Sequence, residues 1–264
     1  MKMPRIHAPG LAAVAGFGLA FLPLAAWYVD RLGDGSDEPL GLVALVLALM
    51  VAWTERKSLR SGTVPRVIAL ASLGAYGVTV WLGWPPLVRA LPAMAAVVLW
   101  TGLWRSPAAT TLIGLSLPVM ATLQFYLGYP MRVVAAAISS ASLKLFSLPV
   151  HRIGTQLMYE GATLGVDAPC SGVRMLWMSC FFGAVLTGLL RLGWVAGGGL
   201  MASAMLAALL ANSVRATVLF FPEAGLVELP SWCHEGAGLL LHVFAMAGLL
   251  ALARRLQTSR PVFT

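Results

Sequence analysis

The sequence predicts an all-α fold, a polytopic transmembrane helix bundle, on three observations. Of 264 residues, 59% are apolar and only 11% are charged, against about a quarter charged in a soluble domain. The mean hydropathy is +0.84. The apolar residues also fall in runs close to the ~20 residues that cross a hydrocarbon core. A chain this poor in charge cannot cover itself with polar surface, and no polar stretch is long enough to fold separately. The net charge of +8 sits in short clusters between apolar runs. That pattern argues for membrane orientation and against nucleic acid as a partner.

The spans justify themselves in order. The first, 11–29, follows Lys2 and Arg5 as in a signal peptide. Its length and the spans behind it mark it as a retained helix. Runs at 40–54, 67–83, 87–104 and 107–129 follow, with 40–54 the shortest. Pro85-Pro86 and Arg105-Ser106-Pro107 mark tight connections. Residues 131–150 are also apolar, but Arg132, Ser139, Ser140, Ser142 and Lys144 interrupt them. They read as an interfacial or re-entrant helix. Residues 151–168, with Gly154, Gly161 and Gly165, read as a short extracytoplasmic strand or loop leading to Cys170. Spans at 173–190, 193–211 and 237–253 bring the expectation to about eight.

The expected organisation is one integral membrane domain. It comprises a five-span bundle at 11–130, an interfacial and extracytoplasmic segment at 131–169, and a three-span part at 170–253. No appended domain is expected beyond it.

Charge sets the expected orientation. With eight spans both termini share a side. That side collects Lys2, Arg5, Arg56, Lys57, Arg60, Arg66, Arg105, Arg191, Arg254, Arg255 and Arg260, eleven of the eighteen basic residues. By the positive-inside rule it is cytoplasmic. Nine of the ten acidic residues fall on the other side, which agrees but adds little weight.

Three residues with chemistry then meet at the extracytoplasmic face. Cys170 stands in Pro169-Cys170-Ser171-Gly172-Val173-Arg174. Pro169 suits a first helical position, which puts Cys170 in the first turn, where the helix N-terminus favours a thiolate. Arg174, four residues on, adds positive charge on the same face. Arg215 ends the next span in Asn212-Ser213-Val214-Arg215. A cation beside a span needs a partner or water, and it suits a developing oxyanion. His234, in Cys233-His234-Glu235-Gly236, precedes the last span and is suited to acid-base work. Each has a bland alternative. A membrane cysteine is usually a small apolar filler, as Cys180 is read here. An interfacial arginine is often an anchor, and an interfacial histidine is often inert. His242, deeper in the last span, competes for the base role, and His151 is the weaker loop candidate. What favours function is the combination of nucleophile, base and electrophile at one depth. No CxxC pair or metal-ligand cluster stands out, so no metal or other cofactor is expected.

At these residues the sequence resembles the exosortase/archaeosortase family of membrane proteins. The match is Cys-Ser-Gly at 170–172 with Arg174 and Leu176, then Asn-x-x-Arg at 212–215, then His-x-x-x-Gly at 234–238. It covers about 150–253. The resemblance implies a sortase-like cysteine transpeptidase or protease of the cell inner membrane, with its active site facing the periplasm. Its expected substrates are membrane-anchored proteins with a C-terminal sorting signal: a short motif, a transmembrane helix and a basic tail. Exopolysaccharide production often accompanies such enzymes. By carry-over Cys170 is the nucleophile, Arg215 the electrophilic stabiliser and His234 the acid-base, with Ser171, Arg174 and Asn212 beside them contacting substrate. Cys233 also raises the idea of a disulfide that blocks Cys170 on an oxidising face.

Two other classes stay open on the sequence. One is a non-catalytic membrane component of an exopolysaccharide or lipid export system, in which these residues only pack and anchor. The other is a transporter routed past Arg215 and His242, but the paired broken helices common in transporters are not evident.

Overall fold

The computed structural model describes residues 16–33, 40–165, 171–228, 230 and 232–258, with the backbone alone at 232–235. It is nearly all helical. After a helical turn at 16–20, the helices are α1 (Leu22–Gly33), α2 (Leu40–Glu55), α3 (Thr63–Trp81), α4 (Pro86–Thr101), α5 (Pro107–Ser116) and α6 (Met120–Leu145). A three-stranded sheet follows, and then α7 (Val173–Leu189), α8 (Trp194–Glu223) and α9 (Trp232–Thr258).

Among the described residues three helices are long and apolar enough to cross a membrane: Thr63–Trp81, Trp194–Glu223 and Gly236–Thr258 within α9. A fourth span is formed if α5 and α6 are taken together. Helices α2, α4 and α7 are apolar but shorter, at 16, 16 and 17 residues. Large apolar side chains face outward along the bundle, Val195 at 93% and Trp81 at 84% exposure among them. Such a surface is stable against lipid and not against water.

The expected straight span at 107–129 is not observed. α5 stops at Ser116, and α6 leaves it at 92°. The cause is local. Pro118 disfavours helical backbone at the residue before it, and Leu117 is accordingly extended at φ −65°, ψ 146°. α6 then absorbs much of 131–150, the segment expected as a separate interfacial helix, in one 26-residue helix that carries Pro130 inside it. The expected strand or loop at 151–168 is an antiparallel sheet in the order β1 (His151–Ile153), β2 (Gln156–Tyr159), β3 (Ala162–Gly165). Tyr159 pairs with Ala162 across the two-residue turn Glu160-Gly161. Both turn residues have positive φ, 46° and 82°, the conformation that matches strand twist in a tight hairpin.

Packing joins the two ends of the sequence. Ala44 and Ala48 of α2 and Leu112 of α5 share a buried cluster with Trp177 and Ala184 of α7. Leu186, Leu200, Leu249 and Ala253 tie α7, α8 and α9 together, with Leu192. Small residues bring the backbones close, because lipid supplies no hydrophobic drive between helices and contact depends on close approach. A Cβ on Gly183 would stand 3.6 Å from Ala204 Cβ, and one on Gly197 would stand 3.0 Å from Thr187 Cγ2. At the other end of α8, Phe220 packs edge-on against Tyr159 at 5.6 Å, and Leu143, Val150 and Leu157 complete that cluster. The sheet is thereby fixed against the C-terminal third of α8.

Candidate functional site

Three helices supply the site, and glycine lets two of them approach the third. α7 begins at Val173, with Gly172 at its N-cap in the left-handed region at φ 77°. A Cβ on Gly172 would lie 2.6 Å from Asn212 Cγ and 2.9 Å from Asn212 Cβ. Only glycine fits there, on backbone and steric grounds alike. Asn212 itself is 1% exposed. Arg215 lies three residues further along α8, on the same side of the helix, and meets α9. A Cβ on Gly238 would stand 3.0 Å from Arg215 Nε. That Nε is buried and has no hydrogen-bond partner among the described residues. His234 lies in the first turn of α9, one turn before Gly238. Its side chain, like that of Cys233, is outside the described residues.

The start of α7 corrects one expectation. The helix begins only at Val173, because the left-handed backbone at Gly172 cannot continue a right-handed helix. Cys170 itself lies outside the described residues, as does the proposed pairing with Cys233. Arg174 is an exposed residue of the first turn. Two helix ends also move. Arg215 is inside α8, which runs on to Glu223, and His234 is inside α9 instead of before it.

Ser171 is 3% exposed, and its hydroxyl donates to Gln124 Oε1 at 2.9 Å. Ser171 Oγ in turn accepts from the Val173 N–H at 3.5 Å, partly satisfying the first turn of α7. Sequence reasoning missed Gln124. The available signal was a lone side-chain amide in the apolar run 107–131, where a polar group without a partner is costly.

The competing groups are placed plainly. His242 lies one turn beyond Gly238 on α9, and its Nδ1 is buried without a hydrogen-bond partner among the described residues. Cys180 is a free, buried thiol at 6% exposure, as a filler reading requires. His151 is exposed on β1. A small cleft of about 20 Å³ opens between the sheet and α8, lined by Leu157, Leu164, Gly165, Ala216, Leu219, Phe220 and Glu223.

The model of the family described as transmembrane exosortase (Exosortase_EpsH) matches residues 16–251. The chain belongs to that family. The match reaches well beyond the 150–253 block that carries the resemblance in the sequence and takes in the N-terminal helices. No curated protein matches the chain, and no solved structure does. Family membership agrees with a multi-pass membrane protein, for which the apolar, outward-facing helices are the physical counterpart.

Proposed function

We propose that this exosortase-family chain is a cysteine transpeptidase or protease. It acts on membrane-anchored proteins with a C-terminal sorting signal, at the extracytoplasmic face of the inner membrane. The observation that carries the reading is Arg215: a buried Nε without a hydrogen-bond partner among the described residues, held on Gly238 one helical turn from His234. A cation kept in that state gains when negative charge develops beside it.

In this mechanism Cys170 attacks the carbonyl carbon of the recognition peptide as a thiolate. Arg215 stabilises the oxyanion of the tetrahedral intermediate. His234 gives a proton to the departing amine as the C–N bond breaks, leaving a thioester on Cys170. Water or an acceptor amine then attacks the thioester and releases the thiolate. Ser171, Arg174 and Asn212 contact the substrate. Both termini are cytoplasmic, and the chain crosses the membrane about eight times, with shorter helices completing the spans.

The test is reconstitution of the full chain in vesicles with a tagged substrate carrying motif, anchor helix and basic tail. The reading expects a shorter product that accumulates with time. Intact substrate beside correctly inserted protein contradicts it.

A further inference from the structure

At the end of α7 and α8 remote from Arg215, four helix termini surround a cleft of about 400 Å³. They are the C-termini of α2 and α7 and the N-termini of α5 and α8. Lys57, Arg105 and Arg191 line it, with Glu55 the one carboxylate among the lining residues. Among the described residues none of the three cations is held in an ion pair; Arg105 rests over the Trp104 ring at 5.2 Å.

Lys57 and Arg191 follow the C-termini of α2 and α7, where the helix dipole welcomes a cation. Arg105 closes the short 3-10 turn Leu103–Arg105. It directly precedes Ser106, the N-cap of α5, and shares the cleft with the N-terminus of α8, whose N-cap Gly193 offers no side-chain acceptor. Both dipoles point their positive ends toward it. Positive charge gathered in this way is stabilised by a bound anion.

Depth in the membrane selects the anion. Trp194 and Trp104 stand at the rim, Trp194 Nε1 donating to the Trp104 carbonyl at 3.0 Å, with Trp194 52% exposed. Amphipathic rings of this kind settle at headgroup level. The adjoining Val195 is 93% exposed and presents an apolar wall to acyl chains. We infer that this cleft binds the phosphate of an anionic phospholipid headgroup, between Lys57, Arg105 and Arg191. Basic pockets between helices on the cytoplasmic side are suited to such headgroups.

The test uses binding and not processing, so it stands or falls apart from the catalytic reading. The detergent-solubilised full chain is titrated with equal phosphatidylglycerol and phosphatidylcholine, and retained lipid is counted by native mass spectrometry. The wild type is expected to retain phosphatidylglycerol preferentially. A Lys57→Gln, Arg105→Gln, Arg191→Gln variant loses that preference by about a hundredfold, at roughly fivefold per cation. An Arg56→Gln, Arg60→Gln, Arg66→Gln variant, altered in the same basic belt but outside the cleft, keeps it. Arg105→Ala alone serves if the triple variant fails to fold, and it loses about fivefold. Absence of preference in the wild type overturns the inference, as does equal loss in the control variant. Binding of inorganic phosphate that displaces phosphatidylglycerol at millimolar concentration assigns the cleft to free phosphate and also overturns it.

Discussion

Arg215 of α8 rests against the backbone of Gly238 on α9, in space that any Cβ would invade: 3.0 Å from Nε and 3.3 Å from Cδ and Cζ. The guanidinium is a flexible terminus, so a methyl group moves it by tenths of an ångström, whereas a large side chain expels it. Gly238→Ala is expected to slow substrate processing a few-fold. Gly238→Leu is expected to slow it by about a hundredfold or more, the order of an oxyanion donor lost at roughly 3–4 kcal/mol. Processing rates at matched membrane levels check both.

Gly172 and Asn212 make a second contact, and this one limits stability. Gly172→Ala meets Asn212 Cγ at 2.6 Å from a backbone at φ 77°. The left-handed conformation alone costs about 1–2 kcal/mol for an L-residue, so thermal unfolding in detergent shifts down. Asn212→Ala does not relieve the variant, because Asn212 Cβ already stands at 2.9 Å. Asn212→Gly does, and the double variant recovers part of the loss. Additive losses in the Gly172→Ala, Asn212→Gly pair contradict the contact.

Gln124 fixes the residue that follows Cys170 through its bond from Ser171 at 2.9 Å. A net hydrogen bond is worth about 1 kcal/mol, so Gln124→Leu is expected to lower the processing rate roughly fivefold. Gln124→Glu keeps an acceptor and retains most of it. Equal activity in all three forms removes Gln124 from the site.

These contacts mark where the sequence was legible. Asn212, Arg215 and the two glycines stand in short motifs, and helical spacing relates residues within each motif. The pairing of Gln124 with Ser171 spans 47 positions, and nothing local to either residue announces it. The apolar runs at 67–83, 193–211 and 237–253 are legible because helices there have lipid-compatible surfaces. The run 107–129 misleads for a physical reason. Hydropathy sums side chains, whereas Pro118 acts on the backbone of Leu117 and turns the chain by 92° between α5 and α6. The start of α7 misleads likewise. Pro169 is a fair helix opener, but the left-handed backbone at Gly172 delays the helix to Val173.

The central claim is covalent catalysis by Cys170. The most direct measurement is processing of a tagged sorting-signal protein in cells carrying Cys170→Ala or Cys170→Ser, with membrane levels of each variant matched to wild type. The account predicts full-length, unprocessed substrate in both. Normal processing in either variant contradicts it and leaves Cys170 without a chemical role.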